Sequence, residues 1–386
     1  MTRLRAFTNT TVLPLASPML DGGTLLVRGE KIQAVGARVS IPAEAEVVDL
    51  SGTYVIPGMI DAHCHVGMAG DGEGSGSADA SETTEPVNGK IRAIESVNPA
   101  HRSFDAARSG GVTAVHILPL GNPIAGLSFT CKTVGTVIDD MVVKNPTGLK
   151  AALGEGPKRA HGLNKGRAPM TRMGIAGLIR DYFARARRYL DGREDDLRFD
   201  AGARVIRGEF PLRIHAHRSD DVVTAVRLCE ELAIPFSIEH CTGGHRVAGF
   251  LGERSVIGHV GPILAARGPQ ERVEADERNA ALLDAAGVRV CLISDHPFVP
   301  TNHLLLAGAL GCKHGMSMEA ALRALTLNPA QSLGVDDRIG SLAPGKDADF
   351  VVLSGRPFSY RSVVLATYIN GQRVYSRTPP GGVAGQ

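Results

Sequence analysis

No stretch of the 386-residue chain approaches the roughly 20 apolar residues that a membrane-spanning helix needs. Arg3 and Arg5 stand near the N-terminus, but the T-N-T-T-V-L-P-L-A-S-P beyond them lacks the continuous apolar core of a secretory signal. A cytoplasmic location without membrane attachment is therefore expected. An excess of either charge is also missing. The formal net charge is +2, which argues against a nucleic-acid partner, because such proteins carry a marked basic surplus. Cysteine is sparse and unpatterned. The six residues (Cys64, Cys131, Cys229, Cys241, Cys291, Cys312) show no C-x-x-C spacing and mostly lie inside apolar runs. Buried free thiols fit that pattern better than disulfides or a thiolate metal site. A hydrophobic content of 43% with 21% charged residues describes a soluble globular protein with a large core.

What is present begins with V-I-P-G-M-I-D-A-H-C-H at 55–65. An apolar run passes Pro57 and Gly58 and then meets Asp61, His63 and His65 at alternate positions. On a strand these share one face, so both imidazoles point the same way. Each imidazole brings two polar nitrogens that need partners, and a metal ion meets that need. On its own the H-x-H spacing is weak; matching ligands must come from later in the chain.

Residues 6–55 read as short β pieces separated by turns, and the same texture returns near 347–375. Two β-rich flanks suggest one small β domain built from both termini, over 1–55 and 341–386. The last residues, 378–386, read as disordered. Between the flanks, strands alternate with helices. Strands are expected at 55–65, 111–117, 129–134, 149–155, 212–217, 235–240, 255–260 and 289–295. Helices are expected at 173–189 (with Thr171 as N-cap), 222–232, 271–286, 304–315 and 318–327. A polar stretch at 69–86 reads as a mobile loop. Eight strands in this alternation predict an α/β architecture, a (β/α)₈ TIM barrel over 56–340.

Such barrels gather reactive groups at the C-terminal ends of their strands. Those ends supply His63, His65, Glu155, His215 with His217, His240 and Asp295, a donor set that zinc or manganese favours. His215 is preferred to its face-mate His217, and His240 to the loop residue His245. Asp295 directly follows an apolar strand, although Asp-His-Pro also resembles a helix-capping loop entry. Lys150 rivals Glu155 on the fourth strand; five residues apart, they face opposite ways, and Glu155 lies nearer the functional end.

At this point the sequence resembles the amidohydrolase superfamily of metal-dependent hydrolases, within it the imidazolonepropionase-like group. The matching residues are V-I-P-G-M-I-D-A-H-C-H at 55–65, I-H-A-H at 214–217, I-E-H-C-T at 238–242, I-S-D-H-P at 293–297, N-P-A at 328–330 and S-L-A-P-G-K-D-A-D-F-V-V-L at 341–353. The resemblance implies a TIM barrel joined to a composite β-sandwich. It implies one divalent ion, zinc by preference, on His63, His65 and Asp295, and a second on His215 and His240. A carboxylated lysine often bridges the two ions in this superfamily. Here the matching strand ends in G-E-G-P, so Glu155 takes the bridging place. Asp295 becomes the proton shuttle of a C–N bond hydrolase, and His217, His245 or His259 polarises a small-molecule substrate. A deaminase of the same superfamily is the alternative, and a barrel kept as a non-catalytic subunit is a third reading. A homo-oligomer is compatible with all three.

The loop after the fourth strand, 156–172, carries Lys158, Arg159, Lys165, Arg167 and Arg172 and no acid. Arg172 follows Thr171 at a helix start, where a guanidinium and free backbone N–H groups suit a carboxylate. Arg172 or Arg159 is the expected anion anchor, with His245 beside them as a substrate contact. The competing reading is that these cations are solvated or pair with the acidic stretch at 71–85.

Overall fold

In a computed structural model, which describes residues 3–69, 79–265 and 270–377, the strands form two sheets of eight. The expectations for 378–386 and for most of the polar loop lie outside the described residues.

The first sheet takes strands from both ends of the chain. The N-terminal part gives β1 (Leu4–Val12), β2 (Leu20–Arg28), β3 (Lys31–Gly36), β4 (Glu46–Asp49) and β5 (Tyr54–Pro57). The second sheet contains β6 (Met59–Cys64), β7 (Val112–Ile117), β8 (Ile124–Lys132), β9 (Val142–Ala152), β10 (Leu212–Ala216), β11 (Phe236–His240), β12 (Ile257–Val260) and β13 (Arg289–Leu292). The chain then returns to the first sheet with β14 (Phe350–Leu353), β15 (Val364–Ile369) and β16 (Gln372–Ser376). The run expected as one strand over 55–65 therefore divides at Gly58. A Cβ at that glycine would stand 2.1 Å from Thr113 Oγ1, so no larger residue fits where the chain changes sheets.

The terminal strands are ordered β16-β15-β14-β5-β1-β2-β3, with β4 also paired to β1. By hydrogen bonding they make one branched sheet, in place of two separately bonded layers. Its core shows why the termini meet. Phe7 lies edge-on to Phe350 at 4.9 Å and to Tyr368 at 5.1 Å, and Phe350 stacks on Tyr368 at 4.4 Å. Such aromatic pairs add about 1 kcal/mol each beyond their buried area.

The second sheet runs β6 to β13 in sequence order as a TIM-barrel-type fold with mixed α/β content. Its end strands meet through backbone bonds, Asp295 N–H to His63 O at 3.1 Å and His65 N–H to His296 O at 2.9 Å. The (β/α)₈ expectation needs one correction: β8 runs antiparallel to both β7 and β9. Only residues 118–123 join β7 to β8, too few for the dozen or more that a parallel crossover requires. The 118–123 turn thereby lies at the ligand end of the barrel, and Lys132 emerges at the other. There its ammonium stands 2.7 Å from Asp347 Oδ2, Asp349 Oδ2 and Asn370 Oδ1, tying barrel to terminal sheet.

Several spans also shift. The fourth strand begins at Val142 and stops at Ala152, three residues short of Glu155. The helix expected over 271–286 is confined to Asn279–Ala285, after a short turn at Gln270–Arg272. The helix Arg172–Leu190 is capped as expected, with Thr171 Oγ1 accepting from Gly174 N–H at 3.0 Å. No helix among the described residues is long and apolar enough to cross a membrane.

Candidate metal centre

His63 is the penultimate residue of β6 and His65 directly follows the strand; both are buried, as is Asp61 two residues before His63. The Asp61 carboxylate accepts from Ser294 N–H at 3.1 Å, from Thr301 Oγ1 at 2.8 Å and from the Ser294 hydroxyl. It thus ties the first barrel strand to the residue directly before Asp295. Burial pushes the Asp61 carboxyl up to about 6 against these hydrogen bonds.

Four of the five histidine rings are oriented through one nitrogen. His63 Nδ1 meets Glu239 Oε2 at 2.6 Å, His65 Nδ1 meets Leu118 O at 2.7 Å, and His240 Nδ1 meets Gly261 O at 3.1 Å. His217 Nδ1 shares a hydrogen bond with Thr242 Oγ1 at 2.7 Å. In all four the other nitrogen, Nε2, is left for a ligand, the arrangement that metal-binding imidazoles adopt. Burial holds His63, His217 and His240 well below the usual imidazole value, so they are neutral donors.

The free nitrogens converge. His63 Nε2 and His65 Nε2 stand 3.7 and 3.5 Å from Asp295 Oδ1. Two ligands of one tetrahedral zinc stand about 3.4 Å apart, whereas hydrogen bonds are shorter. The His215 ring centre lies 4.3 Å from that of His240 and 4.6 Å from that of His217. His215 Nε2 is buried without a hydrogen-bond partner, 3.8 Å from Glu271 Oε2. Two groups of three donors, His63–His240–Asp295 and His215–His217–His240, each bring their atoms within 4.8 Å of one another. His240 and Asp295 have positive φ, 70° and 55°, in the left-handed region that non-glycine residues seldom occupy. Strained backbone of this kind concentrates at functional sites.

Lys150 changes the expected picture. It is 1% exposed, and its Nζ has no hydrogen-bond partner. It lines the same cavity of about 390 Å³ as the five histidines and Asp295. Burial lowers its amine to about 8, although the Glu239 and Asp295 charges oppose the shift. Glu155 also borders the cavity but stands in neither three-donor group. Gly154, with φ of 79°, turns the chain outward after β9. The Glu155 N–H then donates to Glu271, and its carboxylate lies 4.0 Å from Arg172.

The expected substrate contacts divide. Arg159 lines the cavity. Arg172 does not: its Nε donates to both oxygens of Asp221 at 3.0 Å, which removes it as a free anion anchor. The His245 backbone and ring are engaged by Asn279 Oδ1, at 2.8 and 3.3 Å, away from the cavity lining. Arg272 and Phe298, unnoticed in the sequence, border the cavity instead, the guanidinium 5.7 Å from the ring centre. Arg272 makes no ion pair among the described residues. Unpartnered buried nitrogens on Lys150 and His215, beside imidazoles fixed through Nδ1, form a donor set that fits a divalent ion.

Comparison with known proteins bears on this directly. A family model described as amidohydrolase family matches residues 203–375. The crystal structure of an amidohydrolase from Thermotoga maritima MSB8 is 39% identical, with a TM-score of 0.92 over 96% of this chain and 100% of that one. The chain belongs to the amidohydrolase family. Among curated relatives of this amidohydrolase, one from Hapsidospora irregularis is 26% identical over 91% of the chain, which spans 39% of that relative's length. The imidazolonepropionase of Deinococcus radiodurans is 26% identical over 88% of this chain and 87% of its own. The amidohydrolase is in that sense imidazolonepropionase-like.

Proposed function

We propose that this amidohydrolase hydrolyses a C–N bond, other than one in a polypeptide chain, of a small carboxylate-bearing substrate: a cyclic amide, N-acyl amino acid or dipeptide. The convergence of His63 Nε2 and His65 Nε2 on Asp295 carries the reading. His63, His65 and Asp295 would hold one divalent ion, and His215 and His240 a second, zinc in each case. Lys150, in place of Glu155, would be the residue shared between them. Its amine, lowered to about 8, takes up carbon dioxide, releases a proton and becomes an anionic carbamate. The barrel over 56–340 is the catalytic unit, and the flanks at 1–55 and 341–386 support it.

When bound, such ions lower the pKa of water to about 7 and polarise a carbonyl. Asp295 accepts the proton of the attacking water and delivers it to the leaving nitrogen, base and then acid. His217 stacks on His240 at 4.5 Å and directs its neutral imidazole at the substrate oxygen. Arg159 and Arg272 face the substrate carboxylate, and Phe298 packs beside its apolar part.

Purified protein is tested by screening N-acyl amino acids, dipeptides and lactams, with elemental analysis in parallel. Two zinc equivalents and acid-selective amide cleavage support the reading. Ammonia release from an aminated heterocycle establishes the deaminase alternative, and metal-free, inactive protein establishes the non-catalytic one.

A further inference from the structure

On the assumption that the two-ion reading above holds, we infer that Glu239 is a positioning residue that fixes His63 for one of the two ions. Glu239 is fully buried on β11, and every group around its carboxylate donates to it. Oε2 receives His63 Nδ1 at 2.6 Å and His259 Nδ1 at 3.0 Å, while Oε1 receives the Ser237 hydroxyl at 2.7 Å.

The hydrogen positions follow from the other end of the network. Arg213, also buried, only donates. Its Nη1 gives hydrogen bonds to Ser332 Oγ at 2.9 Å and to Ser237 Oγ at 3.1 Å. The Ser332 hydroxyl, having accepted, donates to His259 Nε2 at 2.8 Å. His259 then carries its hydrogen on Nδ1 and passes it to Glu239. Both routes from Arg213 end at Glu239, which must accept. With three donors on its two oxygens, the carboxylate has no proton of its own to give and is an anion with acceptor capacity only. His63 is thereby locked with its hydrogen on Nδ1 and its Nε2 lone pair facing Asp295. His65 leans on a neutral carbonyl and has no such anion behind it. A carboxylate behind a ligating imidazole orients it and raises its basicity, and its loss typically lowers metal affinity 10–100-fold.

Chelator-stripped protein is titrated with zinc against a competing chromophoric chelator. Wild type should bind two equivalents. Glu239→Gln should weaken one of them 10–100-fold and leave the other unchanged, with an unaltered melting profile of the metal-free protein. Glu239→Asp keeps the charge but draws it back from His63, and should give an intermediate, equally selective loss; it carries the test if the glutamine variant does not fold. Two equivalents bound with wild-type affinity, or a uniform loss at both, overturns the positioning role alone. Wild-type protein that binds no zinc overturns the two-ion reading and this inference with it.

Discussion

Lys150→Met separates the stability of the barrel from its activity. The methionine keeps the length of the side chain and removes the ammonium. In the metal-free protein the Lys150 amine sits near 8 against an ordinary 10.5, with burial as the cause. Each tenfold difference between the two affinities for the proton is worth 1.36 kcal/mol, so holding Lys150 charged inside the barrel at pH 7 costs about 3 kcal/mol. The sign follows from proton counts. Between about 8 and 10.5 the unfolded chain binds the proton and the folded chain does not, so wild-type stability rises with pH across that window. Metal-free Lys150→Met should therefore be more stable than metal-free wild type by about 3 kcal/mol at pH 7, and the gap should close as pH approaches 10.5. With zinc added the order should reverse in function: the variant loses the bridge, binds the ions weakly and hydrolyses nothing. Denaturant unfolding of chelator-stripped protein at pH 7 and pH 10, read by circular dichroism, measures the first effect. Equal stability of the two metal-free proteins at pH 7 would refute the reasoning, because the Lys150 charge would then be compensated by a partner.

Asp295→Asn should leave the fold intact and lower kcat by at least about 100-fold, since an amide cannot accept the water proton; near-wild-type turnover assigns that step elsewhere. Arg272→Met, and separately Arg159→Met, should raise KM for a carboxylate substrate far more than for its methyl ester, and equal losses on both remove the anion site. Lys132→Met strands the buried Asp349 where barrel meets terminal sheet, while Asp347 keeps Lys31 and Arg338, and should destabilise by about 3–5 kcal/mol in denaturant unfolding at pH 7. Burial already raises the Asp349 carboxyl. Because a raised carboxyl favours the protonated folded state, the deficit should shrink as pH falls, and a loss independent of pH contradicts this account.

The parts of the fold that could be read in the sequence were those set by local pattern. Alternation of apolar strands and amphipathic helices located all eight barrel strands, and H-x-H, I-H-A-H, I-E-H and S-D-H marked their reactive ends. The reversed β8 was not legible, because the strands expected at 111–117 and 129–134 left eleven residues between them, close to the dozen a crossover needs, whereas the structure leaves six. The fourth strand misled at its end, because the expectation ran it into G-E-G-P whereas it stops at Ala152. Placing the strand end at 155 put Glu155 at the site and hid Lys150. The Arg172–Asp221 pair joins residues 49 apart, so no local pattern announces that the guanidinium is already engaged. Ser237 and Glu239 do leave a trace, two polar residues at alternate positions of an otherwise apolar strand, which marks a face that needs buried partners.

The terminal sheet also bears on synthesis. Its strand β5 pairs along its whole length with β14, from Tyr54 against Leu353 to Pro57 against Phe350. About 290 residues separate the partners, and at 5–20 residues per second a ribosome needs about 15–60 s to make them. For that interval Val55 and Ile56, both fully buried in the finished protein, form an open strand edge beside Phe7 and Leu25, which still lack Phe350 and Tyr368. Unpaired apolar edges recruit other chains. The nascent chain is thus most exposed to aggregation after the barrel has emerged and before residue 353 does. Truncations that end between Asp295 and β14 should collect in the insoluble fraction even though every proposed metal ligand has been made.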